Sequence, residues 1–166
     1  MIAESVVAAL QDAFWMRAED VLFHHTNPWE LDEALTDWGY GTGPCEAQDH
    51  FGLERVRARQ PLRPTPVLTR MITEGRMGKI SGVGFYRYPG GGGAVIDPLI
   101  EDLIREEAWF SRIERVARDD NALVTLMNAA LKDVVNPLLD KGMSRDDLVT
   151  QLVQAVHFPS DGLAFL

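Results

Sequence analysis

The sequence predicts an all-α fold, two related helical units packed as one body. Apolar residues recur at three- and four-residue steps along most of the 166-residue chain, and strand-like sequence is almost absent. Helix start and stop signals divide that pattern into segments. The pattern then repeats: Leu148 lies 117 residues after Leu31, and the same gap-free offset pairs Val7 with Val124, Leu10 with Met127, Phe14 with Leu131, Leu22 with Leu139 and Leu35 with Leu152. It also superposes Asn27 on Ser144, both good capping residues. Shared periodicity alone would align any two helices; matching caps and the lack of gaps argue for duplication. The units are expected at residues 1–90 and 91–166.

Taken in order, Ile2 to about Phe23 reads as an amphipathic helix with Val6, Val7, Leu10, Phe14, Ala18, Val21 and Leu22 on one face. Asn27-Pro28-Trp29-Glu30 starts the next, with a cap, a proline at the first position and a glutamate reaching back; Gly39 stops it. A short helix follows Pro44. Pro61, Pro64 and Pro66 break the chain before a helix over Val67 to Glu74. Gly75 to Tyr88 then carries four glycines and a Phe85-Tyr-Arg-Tyr88 patch alternating like a short strand. Gly90 to Gly93 reads as a joint between the units, since it lacks the lysine and serine or threonine of a phosphate cradle. Asp97-Pro98 caps a long helix expected to reach about Arg118. Ala122 to Lys141 forms another, closed by Gly142 and kinked or cut short at Pro137. Ser144-Arg-Asp-Asp147 caps a last helix ending near His157.

Composition limits the function. A net charge of −9 and a pI near 4.8 exclude a broad nucleic-acid footprint. One cysteine excludes an internal disulfide and suits a reducing compartment. No secretory leader and no membrane span are read from the sequence, so a cytoplasmic protein is expected. The charge is unevenly spread. From Arg55 to Arg87 eight cations (Arg55, Arg57, Arg59, Arg63, Arg70, Arg76, Lys79, Arg87) face Glu74 alone, a local charge of +7. Such a stripe suits an anionic ligand; alternatively, the arginines pair with acids on neighbouring helices.

Gly78-Lys-Ile-Ser-Gly-Val-Gly-Phe-Tyr-Arg-Tyr88 resembles the signature that closes the helical domain of 3-hydroxyacyl-CoA dehydrogenases. Trp38-Gly-Tyr-Gly-Thr-Gly-Pro44 and Asp49-His-Phe-Gly-Leu53 are similar to that family's glycine/proline turn and following helix. Ile100 to Ala108 and Leu126 to Ala130 resemble the second helical repeat of the multifunctional fatty-acid oxidation enzymes. The resemblance implies a helical body like the C-terminal part of 6-phosphogluconate dehydrogenase, present in two tandem copies. It also implies a homodimer, a 3-hydroxyacyl-CoA or acyl-CoA ligand, and NAD in the complete enzyme.

What is missing sets the functional expectation. No Gly-x-Gly-x-x-Gly occurs, and strand-like sequence to build a nucleotide-binding domain is lacking. By resemblance, the catalytic histidine and glutamate lie in that absent domain. An asparagine assists from the helical domain in the family; here Ala8 stands at that position, and alanine has no side-chain donor. This chain is therefore expected to hold no catalytic residue. It would act only with an NAD-binding domain supplied in trans or from outside these residues. Substrate contacts are expected from Arg76 and Lys79 to phosphates, and from Gly43 and Pro44 shaping the acyl passage. The rival expectation is a scaffold that assembles subunits and binds no substrate. No metal site is expected: His24 and His25 diverge, His50 with Asp49 and Glu46 makes a weak cluster, and Cys45 reads as a small apolar filler.

Overall fold

The computed structural model describes residues 2–162. Helix α1 (Ile2–His24) runs through the middle, and the other elements are laid around it. They are α2 (Pro28–Trp38), α3 (Pro44–Phe51), α4 (Leu53–Ala58), α5 (Pro66–Thr73), α6 (Leu99–Phe110), α7 (Asp120–Asp140) and α8 (Arg145–Val156). The single helix expected after Pro44 is two, because Gly52 takes φ 102° between α3 and α4. No strand occurs among the described residues; isolated bridges pair Gly78 with Val83, Val83 with Arg87 and Arg87 with Val95. The strand-like alternation at Phe85–Tyr88 forms none because the N–H groups of Phe85 and Tyr86 donate to the Asp49 side chain.

The repeat seen in the sequence is a repeat of elements. Shifted by 117 residues, α1 falls on α7 and α2 on α8. Both second helices are capped alike, Asn27 accepting from Glu30 N–H at 2.9 Å and Ser144 from Asp147 N–H at 3.1 Å. The pairs interlock, with α1 packing on α7 and α8 while α7 packs on α1 and α2. Leu10, Phe14, Leu31 and Leu35 join Met127, Leu131, Leu148 and Leu152 in one core. α1 is not buried on one face only: Trp15, Met16 and Glu19 are also covered, since neighbours lie on several sides.

One helix end differs from expectation. α6 stops at Phe110 rather than near Arg118. Arg112 takes φ 58°, Ile113 N–H returns to Ala108 carbonyl at 2.8 Å, and the chain beyond is drawn to the end of α1. There Arg115 donates to the carbonyls of Leu22, Phe23 and Thr26, and Val116 N–H donates to His24 carbonyl at 2.9 Å. The last carbonyls of α1 lack helical partners, and a guanidinium both satisfies them and suits the negative helix end. A continued helix could not reach them. α7 runs through Pro137 to Asp140, within a residue of the expected end at Lys141.

Among the described residues, α7 alone has the length and apolar composition of a membrane span, which the sequence reading had not picked out. Leu123, Val124, Met127, Leu131 and Val135 are buried within the protein, where α7 lies on α1 and α2.

Candidate functional site

Three buried carboxylates tie the outer elements to the central pair. Glu19 on α1 accepts from the N–H groups of Val67 (2.7 Å) and Leu68 (3.1 Å), capping the first turn of α5. Asp32 on α2 accepts from Cys45 N–H (2.8 Å) and Glu46 N–H (3.0 Å), capping α3, and from Tyr86 hydroxyl at 2.8 Å. Asp49 on α3 accepts from Phe85 N–H (2.8 Å), Tyr86 N–H (3.0 Å) and Tyr88 hydroxyl (2.7 Å). The glycine signature is thus bolted to α3. A Cβ on Gly84 would overlap the Asp49 carboxylate, and one on Gly43 would overlap Asp32. Both glycines are needed for close approach.

Burial pushes the carboxyls of Glu19 and Asp32 up to about 7 and that of Asp49 up to about 6, against the pull of the N–H donors they accept. Burial, with Asp32 and Asp49 beside it, pushes the Cys45 thiol well up. A thiol kept protonated is a poor nucleophile, which suits the filler reading. The Tyr86 and Tyr88 hydroxyls are raised by burial and then by the neighbouring carboxylates, so both act as donors.

The four expected substrate contacts divide in two. Gly43 and Pro44 are buried where α2 meets α3, and Pro44 opens α3 at the first helical position. Arg76 is 6% exposed and turned inward, donating to Gly84 carbonyl at 3.0 Å and to Asp97 carboxylate at 2.8 Å. Lys79 is half-buried, with Nζ 5.8 Å from the Tyr88 ring centre and no ion pair among the described residues.

Elsewhere along the basic stripe, half of the six arginines are ion-paired among the described residues. Arg59 meets Asp12 at 3.0 Å and Arg63 meets Asp20 at 2.6 Å. Arg70 meets Glu74, Glu106 and Glu107, and Arg55 lies 4.0 Å above the Phe51 ring. Arg57, Lys79 and Arg87 make no direct ion pair among the described residues. Ala8, half-buried, gives its carbonyl to Arg59 at 3.0 Å and presents only a methyl group.

His50 lies 3.5 Å from Glu46, while Asp49 is engaged with the glycine signature. His24 and His25 bond separately to the carbonyls of Asp20 and Val116. Among the described residues no group of three His, Cys, Asp or Glu is placed to hold a metal. Nor do these residues fit a dinucleotide, having neither a strand-turn-helix cradle nor its glycine pattern. The three carboxylates each accept from backbone N–H groups and so fix the turns around them. Sequence reading missed Glu19 and Asp32 as anchors. Their signal was present, as acids set among the apolar positions of α1 and α2 at helical spacing.

A family model described as 3-hydroxyacyl-CoA dehydrogenase, C-terminal domain, matches residues 5–88, ending on Tyr88 of the anchored signature. The chain belongs to that family. The dehydrogenase part of multifunctional enzyme 1 from Caenorhabditis elegans superposes on 95% of this chain and 37% of its own, with a TM-score of 0.74 at 20% identity, which supports the all-α fold. The peroxisomal bifunctional enzyme of Danio rerio is 30% identical over 58% of this chain and 16% of that protein. The human mitochondrial hydroxyacyl-coenzyme A dehydrogenase is 36% identical over 30% of this chain and 19% of that protein. The chain therefore spans less than a fifth of the length of these curated relatives. They are named for the peroxisome and the mitochondrion, two compartments that the cytoplasmic expectation left out.

Proposed function

We propose that this chain is the helical, acyl-CoA-gripping and dimerising portion of a 3-hydroxyacyl-CoA dehydrogenase of fatty-acid β-oxidation, working with an NAD-binding domain that these residues do not supply. The observation that carries the reading is the family match over residues 5–88, which ends on the signature that Asp49 locks to α3. In the same reading, residues 1–90 and 91–166 are the two copies of the helical unit. Lys79, one of the cations of the stripe with no carboxylate partner among the described residues, is assigned to a CoA phosphate because it lies on the glycine signature, and Arg76 positions the turn that carries it. Gly43 and Pro44 shape the wall where α2 hands over to α3. NAD would belong to the partner domain, so none of its chemistry is assigned to residues here.

The test joins the chain to a separately produced nucleotide-binding domain of this family, with acetoacetyl-CoA and NADH, and follows loss of NADH absorbance. Turnover that needs both proteins is expected; none from the mixture removes the split-enzyme reading. Calorimetry isolates the ligand: heat from acetoacetyl-CoA by about millimolar concentration supports gripping, and its absence removes it.

A second reading, a scaffold that assembles subunits without binding substrate, is favoured by Ala8 and by the inward-turned Arg76. It expects no heat of binding together with intact self-association.

A further inference from the structure

Between α4 and α5 the chain runs Gln60-Pro61-Leu62-Arg63-Pro64-Thr65, and two hollows open along it. The smaller, of about 310 Å³, has Arg57, Arg63, Thr65 and Thr69 in its lining. The larger, of about 660 Å³, has Phe23, Pro64 and Pro66 in its wall with Arg70, Thr73 and Glu107. Pro64, Thr65 and Thr69 line both, so the two hollows adjoin. We propose that together they form a binding groove for a long-chain carboxylate, a free fatty acid, with its head at Arg57 and its alkyl chain along Phe23 and Pro66.

The head end holds donors that the fold leaves unspent. Arg57 is exposed and makes no ion pair among the described residues, whereas Arg63 meets Asp20 at 2.6 Å. One arginine thus balances the local acid, and the other supplies the charge a carboxylate needs, with two parallel N–H groups to grip it. Thr65 occupies the N-cap position of α5 but does not cap it, because Glu19 takes the N–H groups of Val67 and Leu68. Its hydroxyl lies instead 3.3 Å from that of Thr69, where the hollows adjoin. Two hydroxyls bonded to each other use one proton between them, and the second O–H is left to donate. The tail end has the reverse character, since its polar groups are taken. Arg70 is held by Glu74, Glu106 and Glu107, and the Thr73 hydroxyl donates to Thr69 carbonyl at 2.8 Å. Apart from Ser111, what is left is the Phe23 ring, two prolines and methylene stems, a surface that gains by covering an alkyl chain. None of Gly43, Pro44, Arg76 or Lys79 lines either hollow, so the inference is independent of thioester gripping.

Calorimetry of the full chain with dodecanoate, held below its micelle concentration, reads the groove directly. Saturable one-to-one binding by about 100 µM is expected, with affinity rising at least about threefold for each two carbons from octanoate to dodecanoate. Arg57→Gln should weaken dodecanoate at least about fivefold while the melting temperature stays put, since this arginine holds no partner in the fold. Thr69→Val, which keeps the shape and removes the spare donor, should weaken it about threefold. Acetate, the head without the chain, should give no saturable heat. No saturable heat from dodecanoate, affinity indifferent to chain length, saturable binding of acetate, or dodecanoate binding unchanged in Arg57→Gln would each overturn the proposal. So would displacement of dodecanoate by acetoacetyl-CoA, which would put the acid in the thioester's place. A chain that takes dodecanoate but gives no heat with acetoacetyl-CoA keeps the groove and loses the gripping reading instead.

Discussion

The helix pairs α1–α2 and α7–α8 share caps, core positions and length, yet among the described residues the first alone anchors further elements through buried carboxylates. At the 117-residue offset the inward residues match, Leu10 with Met127, Phe14 with Leu131, Leu31 with Leu148 and Leu35 with Leu152, all buried. The outward residues do not. Trp15 becomes Lys132, Glu19 becomes Asn136 and Asp32 becomes Val149; Asn136 is exposed and the other two are half-buried. In the first pair those outward side chains recruit α3, α5 and the glycine signature. In the second, nothing on that face asks for a neighbour. The two helix pairs thus share an inner face that builds the core, and differences at a few outer residues decide which pair anchors further elements.

The largest expected effect tests whether the inner faces form one core. Leu31→Ala and Leu148→Ala should each cost about 3 kcal/mol, the usual range for a buried leucine. Both should lower one shared unfolding transition in urea. Two transitions, with Leu148→Ala moving only one, would break the comparison by making α7–α8 a separate unit. Next comes Asp32→Ala, which strands the first N–H groups of α3 and the Tyr86 hydroxyl. A cost of about 2–3 kcal/mol is expected, against about 1 kcal/mol or less for the matched Val149→Ala.

Much of this was legible in the sequence because it is local. Helix starts at Pro28 and Arg145, the stop at Gly39 and the 117-residue offset are written in caps and period, and each was read to within a residue or two. The early end of α6 was not, since the reason is Arg115 reaching the carbonyls of α1, a contact between residues about ninety apart in the chain. The signature around Lys79 was recognisable as a motif, but its grip on Asp49 was invisible, because spacing along a chain says nothing of which carboxylate a turn will fold against. Arg76 shows the same limit. Its charge counted toward an anion site, while the fold commits it to Asp97 and a backbone carbonyl.

A pH series sharpens the contrast, since the second pair has Asn136 and Val149 in place of Glu19 and Asp32. Burial raises the folded-state values of Glu19 and Asp32 to about 7 and of Asp49 to about 6, above the 4.5 and 3.8 of free carboxyls. The folded protein therefore binds more protons than the unfolded chain between about pH 4 and pH 7, and stability falls as pH rises through that window. A loss of about 1.4 kcal/mol per pH unit for each carboxyl protonated only in the folded state is expected as pH rises from about 5, read by chemical denaturation. Glu19→Gln should flatten the slope; a slope unchanged in that variant would remove Glu19 as a source.

The smallest expected effect concerns the caps, where the two pairs look most alike. Asn27 and Ser144 each accept one N–H three residues on, so a cap alone predicts equal losses of about 1 kcal/mol on mutation to alanine. Asn27 does more: its Nδ2 donates to Glu101 on α6 at 2.7 Å, and the residue is 3% exposed. Its loss also leaves a half-buried carboxylate without that donor. Asn27→Ala should therefore cost more than Ser144→Ala, by about 0.5–1 kcal/mol. Asn27→Ser, which keeps the cap and drops the reach, should recover the Ser144-like part of the difference. Equal losses for both alanine variants would mean that the tie to α6 adds nothing, and that the first pair differs from the second only through its buried carboxylates.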